Sequence, residues 1–166
     1  DAAVAAGCDP AMVRLLAVSK TWPADNVREA AAAGQHAFGE NYVQEGVAKV
    51  AELESLGLEW HFIGPLQSNK SKPVAEAFDW VHSIERMKIA ERLSEQRPAG
   101  KVPLNVCLQV NVSGEASKSG CAPDEAVALA KAIAALPNLR LRGLMCIPEP
   151  VEDVEAQRRP FRQLSE

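Results

Sequence analysis

No apolar run in this sequence approaches the roughly 18 residues that a membrane-spanning helix needs, and no charged start leading into an apolar stretch marks a secretory signal. The expectation is therefore a cytoplasmic protein with no membrane partner. Cysteine is sparse and scattered: Cys8, Cys107, Cys121 and Cys146 share no C-x-x-C spacing, which argues against both a zinc site and a disulfide framework. No metal is expected, and the four read as free thiols, with Cys107 and Cys146 buried in strands. Basic charge is also short. Eighteen Lys and Arg stand against 22 Asp and Glu, a formal net charge of −4, and pairs such as Lys70 with Lys72 and Arg158 with Arg159 are diluted by carboxylates, so no nucleic-acid partner is expected. The G-x-G-x-x-G fingerprint of dinucleotide folds and the P-loop are both absent. What is present, 166 residues of which 47% are hydrophobic and 24% charged, suffices for one core. Residues 1–166 are expected to form a single domain.

The most informative stretch is Leu15-Leu16-Ala17-Val18-Ser19-Lys20, an apolar run ending abruptly in a lysine and closed by Thr21 and Pro23. It reads as a strand buried on both faces. Further runs at 37–39, 59–64, 80–83, 104–112 and 139–147 read as strands too. Helical spacing lies between them: Val27, Ala30 and Ala31 before Gly34; Val43, Val47, Val50 and Ala51 after Asn41, which sits where an N-cap belongs; Val74, Ala75 and Phe78; Ile89 and Leu93; and Ala126 to Ala134 behind Pro123. From Glu152 onward another helix is expected, broken or kinked at Pro160. No hairpin signal joins any two strands. Serial βα units of this kind give an α/β fold with a parallel sheet. Two architectures fit, a doubly wound open sheet and a (β/α)8 TIM-type barrel with about six of its units here. Since such a barrel typically takes about 250 residues, the barrel reading expects the chain to lack its last strands.

Parallel strands share one rim at their C-terminal ends, where α/β folds bind ligands. The residues there are Lys20; Glu40 and Asn41; His61 with Gly64-Pro65; His82 and Ser83; Asn111 and Ser113; and Met145 with Cys146. A lysine at such a rim can be partly desolvated, which lowers its pKa from about 10.4 and frees the amine to attack carbonyls. The competing reading is a surface lysine snorkelling from a strand end. Asn41 could equally be only an N-cap, His61 and His82 packed histidines, and Met145 core filler. No carboxylate cluster stands out, which disfavours two-metal and two-carboxylate hydrolases. The stretch 113–122, with Gly114, Lys118 and Gly120, is long for a βα connection and reads either as a flap or as a plain excursion.

Five runs together, LAVSKT at 16–21, FGENYVQE at 38–45, HFIGPLQSNK at 61–70, NVSGE at 111–115 and GLMCIP at 143–148, resemble the pyridoxal-phosphate homeostasis protein family. That family is similar to the barrel domain of alanine racemases standing alone. The resemblance implies a TIM-type barrel of the alanine racemase N-terminal-domain type, with pyridoxal 5′-phosphate (PLP) held as a Schiff base on Lys20. It also implies that Asn41, His61, Ser83 and Met145 lie around the cofactor, while the phosphate-binding loop and the arginine facing the pyridine nitrogen come from two later strands, beyond Glu166. The implied role is intracellular PLP (vitamin B6) and amino-acid homeostasis without classical turnover, with apo-PLP enzymes as partners and no catalytic residue assigned. The alternative is a PLP-dependent racemase or decarboxylase. A racemase needs acid–base groups on opposite faces of its substrate, and the only tyrosine, Tyr42, falls in a helix's first turn with no β domain evident. That favours a carrier, and a monomer. A Schiff-base aldolase is disfavoured because no carboxylate stands beside Lys20.

Overall fold

Each apolar run pairs in parallel with the next one along the chain. In the computed structural model, which describes residues 2–113 and 119–165, the strands are β1 (Ala17–Val18), β2 (Ala37–Glu40), β3 (Glu59–Phe62), β4 (Trp80–Ile84), β5 (Leu104–Gln109) and β6 (Leu139–Met145). They form one sheet in the order β1-β2-β3-β4-β5-β6. A doubly wound sheet would reverse its strand order at a switch point, and here the order never reverses. The architecture is that of a TIM-type barrel of which this chain provides six strands, with β1 and β6 at the sheet's edges. The helices are α1 (Ala2–Ala5), α2 (Ala24–Ala32), α3 (Val43–Glu52), α4 (Ser71–Ala77), α5 (Met87–Gln96), α6 (Pro123–Ala134) and α7 (Val154–Ser165). Among the described residues no helix is long and apolar enough to cross a membrane.

Alternation divides the sheet into two unlike faces. Phe38, Trp60, Phe62, Val81, Val106 and Leu108 join Val27, Val43, Val74, Ile89, Leu93 and Ile133 of the helices in one buried cluster, and Phe62 meets Phe78 edge-on with centroids 5.5 Å apart. Each such fully buried side chain contributes about 1.5–3 kcal/mol. The opposite face carries Leu16, Gly39 and Ile63, where a Cβ on Gly39 would lie 3.1 Å from Ile63 Cδ1 and 3.4 Å from Leu16 Cδ2. It carries His61 and His82 as well, and so is the more polar of the two.

Several sequence expectations change. Among the six strands present β1 bonds to β2 alone, and there Leu15 is 76% and Val18 48% exposed. Burial also falls differently among the cysteines. Cys121 is buried, whereas Cys107 and Cys146 are only partly so, the first on the face away from the helical core and the second past the end of β6. Burial pushes the Cys107 thiol up to about 11 and raises Cys121 and Cys146, so none of these three is a thiolate near neutrality. Finally, α7 continues through Pro160. Asp153 Oδ1 accepts the Ala156 N–H at 2.8 Å, and Glu155 pairs with Arg158 at 2.9 Å and Arg162 at 3.0 Å, bracketing the turn that proline weakens.

Candidate functional site

Lys20 lies two residues past Val18, which pairs with Gly39, and Gly39 pairs with His61. The same two-residue step leads from Gly39 to Asn41 and from His61 to Ile63, so Lys20, Asn41 and Ile63 end three neighbouring strands at one level of the rim. Lys20 is exposed.

What surrounds it along the chain is far from loose. Ser19 donates its N–H to Gly39 O at 2.9 Å and its Oγ to Glu40 Oε1 at 2.6 Å. Lys49 Nζ donates to Ser19 O at 2.6 Å, Glu40 Oε1 at 2.8 Å and Glu45 Oε1 at 2.7 Å, which uses all three ammonium hydrogens. Glu45 Oε1 in turn accepts the Thr21 N–H at 2.6 Å. Thr21 itself has φ +66°, the one left-handed non-glycine position among the described residues, a conformation that costs a β-branched residue about 1–3 kcal/mol. Glu40 is 0% and Lys49 6% exposed. The hydrogen bond from Lys49, followed by that from Thr21 N–H, outweighs burial and holds the Glu45 carboxyl below the usual range.

Local sequence explains how Lys49 arrives there. Val43, Gly46 and Lys49 form the inward stripe of α3. Gly46 is small because a Cβ would sit 2.6 Å from the Phe78 ring and 3.1 Å from Glu40 Cβ, and that close approach brings the lysine down onto the ends of β1 and β2. An apolar-pattern reading passes over it; the available signal was a charged residue at an inward spacing. Two carboxylates therefore do bond to the residues flanking Lys20, contrary to the expectation of none beside it, although both are held by Lys49.

Asn41 does not cap α3. Tyr42 occupies the N-cap without a side-chain hydrogen bond, and Asn41 Oδ1 is buried with no partner. Gly64 presses against Asn41, for a Cβ there would lie 2.2 Å from Asn41 O. Ser83 donates its hydroxyl to Gly64 O at 2.6 Å, joining the ends of β3 and β4. It sits at a bulge where His82 and Ser83 together oppose the single residue between Val106 and Leu108. Met145 ends β6 opposite Gln109, half-buried, and its carbonyl accepts the Val110 N–H at 2.9 Å. A cavity of about 310 Å³ opens at this rim among Ile63, Pro65, Gln109, Ser119, Ile147 and Pro148. Ser113 N–H and Oγ both turn back on Asn111 Oδ1, at 3.2 and 3.0 Å. Of the expected flap, residues 114–118, including Gly114, Glu115 and Lys118, lie outside the described residues. Among the described residues no three metal-ligating side chains converge.

His61 lies deeper in the sheet, with both ring nitrogens engaged: Nδ1 with His82 Nε2 at 2.8 Å and Nε2 with Glu59 Oε1 at 3.0 Å, while Trp80 stacks on the ring at 5.2 Å. The hydrogen bonds are all satisfied when His82 Nε2–H donates to His61 Nδ1 and His61 Nε2–H donates to Glu59, both rings being neutral. Burial, then the neighbouring His61, pushes His82 down to about 4. The unfolded chain therefore takes up this proton near 6.5 and the folded chain only near 4, so stability is undiminished above 6.5 and falls as pH drops between the two. Urea unfolding at pH 4.5 against pH 7 is expected to show about 2 kcal/mol lost at this site after solvent screening of the part-exposed ring. His82→Phe should flatten the profile, and equal slopes for variant and wild type would assign the loss elsewhere.

Comparison with known proteins places these features. The family profile described as alanine racemase, N-terminal domain, matches residues 2–166. The protein named pyridoxal phosphate homeostasis protein in Pseudomonas aeruginosa is 68% identical over 166 residues, covering 100% of this chain and 72% of that one. Its namesake in Escherichia coli K12 is 56% identical over 167 residues, covering 99% and 71%. Among solved structures, PipY of Synechococcus elongatus PCC7942 with PLP bound superposes with a TM-score of 0.83 at 38% identity, covering 99% of this chain and 76% of that one. Alanine racemase from E. faecalis, at 14% identity and a TM-score of 0.73 over 94% of this chain and 44% of its own, shares the fold.

Proposed function

This chain belongs to the pyridoxal phosphate homeostasis proteins, within the alanine racemase N-terminal-domain family, and from that premise we propose that it holds PLP as a Schiff base on Lys20 and serves PLP and amino-acid homeostasis without turnover. The observation that carries the reading is an exposed amine at the C-terminal end of β1 whose neighbours on both sides, Ser19 and Thr21, are tied to a buried ionic cluster. The PLP-bound structure of PipY supports the cofactor.

The residues present fit such a group. Asn41 Oδ1 is a buried acceptor lacking a donor at the register position beside Lys20, where a ligand hydroxyl would satisfy it. Met145 offers a polarizable apolar wall and Ser83 the spare lone pairs of its hydroxyl, while His61 is engaged by His82 and Glu59 deeper in the sheet. PLP supplies an electron sink when bound; the protein's groups decide whether anything is done with it. Here the two histidines engage each other and Glu59, and Tyr42 is 57% exposed at the start of α3, so no second acid–base group faces Lys20 across the rim from these residues. That favours a carrier over a racemase or decarboxylase. On this reading residues 1–166 belong to a single PLP-binding barrel domain of a cytoplasmic, monomeric protein that hands PLP to apo-enzymes.

Two measurements test it. Borohydride reduction of PLP-loaded protein followed by peptide mass analysis should place the adduct on Lys20. Incubation of the loaded protein with L-alanine in deuterated water should give no multiple-turnover exchange of the α-proton, and catalytic exchange would replace the carrier with an enzyme.

A further inference from the structure

We infer that Lys49, together with Glu40 and Glu45, is a positioning cluster that sets the backbone on both sides of Lys20 and thereby governs how readily its amine condenses with an aldehyde. This rests on the reading of Lys20 given above and adds residues that never touch the cofactor. Three strands of evidence meet at the cluster. Lys49 holds the Ser19 carbonyl at 2.6 Å, one residue before Lys20. Glu45, itself held by Lys49, takes the Thr21 N–H at 2.6 Å, one residue after. Lys20 lies between these two anchors, and Thr21 at the second of them stands at φ +66° in the turn that Trp22 N–H closes on Ser19 O at 3.1 Å, a conformation that costs a threonine more than the extended one. Relaxation of Thr21 would swing the peptide carrying Lys20 and redirect its side chain along the rim.

The chemistry so governed is simple condensation. The amine lone pair forms a bond to the aldehyde carbon, the carbonyl oxygen departs as water with both amine hydrogens, and C=N replaces C=O without any change of oxidation level. A preorganised approach raises its rate because orientation is settled before the reactants meet.

Glu45→Ala is the informative variant. It frees Thr21 N–H yet leaves the Lys49–Glu40 pair in place, and Glu45 is only part-buried, with 29% of its side chain exposed, so the fold should survive. With added PLP the full chain carrying Glu45→Ala is expected to form the Lys20 imine about tenfold more slowly than wild type, the weight of one left-handed β-branched residue. Thr21→Gly in the same chain should recover part of that loss, since glycine enters the left-handed region without the penalty a β-branched residue carries there. An unchanged rate for Glu45→Ala, or no recovery on adding Thr21→Gly, overturns the inference, because a purely stabilising role predicts both. In the cofactor-free protein, amide hydrogen exchange at Thr21 should quicken in Glu45→Ala, and unaltered exchange also overturns it. That measurement involves no PLP, so a wild type that forms no imine removes the Schiff-base reading while exchange still judges the cluster.

Discussion

Lys20→Ala is expected to abolish the imine absorption band of the PLP-loaded protein, not to weaken it. The other nearby amine cannot take over: Lys49 is 6% exposed and all three of its ammonium hydrogens are engaged by Ser19, Glu40 and Glu45. Deprotonating it to make a nucleophile would leave two carboxylates without their shared cation. Lys70 belongs to the turn at Ser68–Lys70, beyond β3, where it lines a cavity with Asn41 and Gln67, so the double variant Lys20→Ala/Lys70→Ala is the control. Because Lys20 is exposed and no packing depends on it, the variant should unfold within about 0.5 kcal/mol of wild type, so that loss of the band reports chemistry and not collapse. The check is a spectrum with and without PLP, beside a urea titration. A band that persists in Lys20→Ala would move the Schiff base to another lysine and take the present account of the rim with it.

The second large effect concerns stability. Lys49→Met leaves the Glu40 carboxylate at 0% exposure without a cation, and breaking a buried pair by removing one partner costs about 3–5 kcal/mol. Ser19 Oγ still donates to Glu40 Oε1, but one neutral hydroxyl does not replace an ammonium in a low-dielectric setting. Adding Glu40→Gln should recover at least half of the loss, since the amide keeps an oxygen for Ser19 and carries no charge. The measurement is equilibrium urea unfolding of the four proteins in a double-mutant cycle. A cost for Lys49→Met below about 1 kcal/mol would mean that water reaches the cluster and screens it as it screens surface pairs.

The βα repeat, the parallel sense of the sheet and the place of Lys20 at a strand's end were legible from the chain alone, because alternating apolar periods of two and 3.6 are local properties. So was most of the inward stripe of α6: Ala126 and Ile133 are buried and Leu129 and Ala130 partly so, whereas Ala134 is exposed. Choosing between the doubly wound sheet and the singly wound barrel order was not, since that depends on which strands pair, and pairing is decided over tens of residues. Asn41 is a case in point. Its residue type favours an N-cap, but Gly64 lies close against its backbone at that end of β2, and the N-cap of α3 falls one residue later, at Tyr42.

By itself the sequence determined a serial α/β architecture and the lysine that follows its first strand. Only the tertiary structure decided that His61 and His82 engage each other deeper in the sheet, that Asn41 Oδ1 lacks a partner, and that Lys49 is a buried cation. The physical reason is that a lysine's environment is not written in its neighbours. Beyond its local pair with Glu45 one helical turn back, Lys49 is stable indoors because the fold brings it Glu40 from nine residues away and the Ser19 carbonyl from thirty, and no local pattern records a bond whose two halves meet only after the chain has folded.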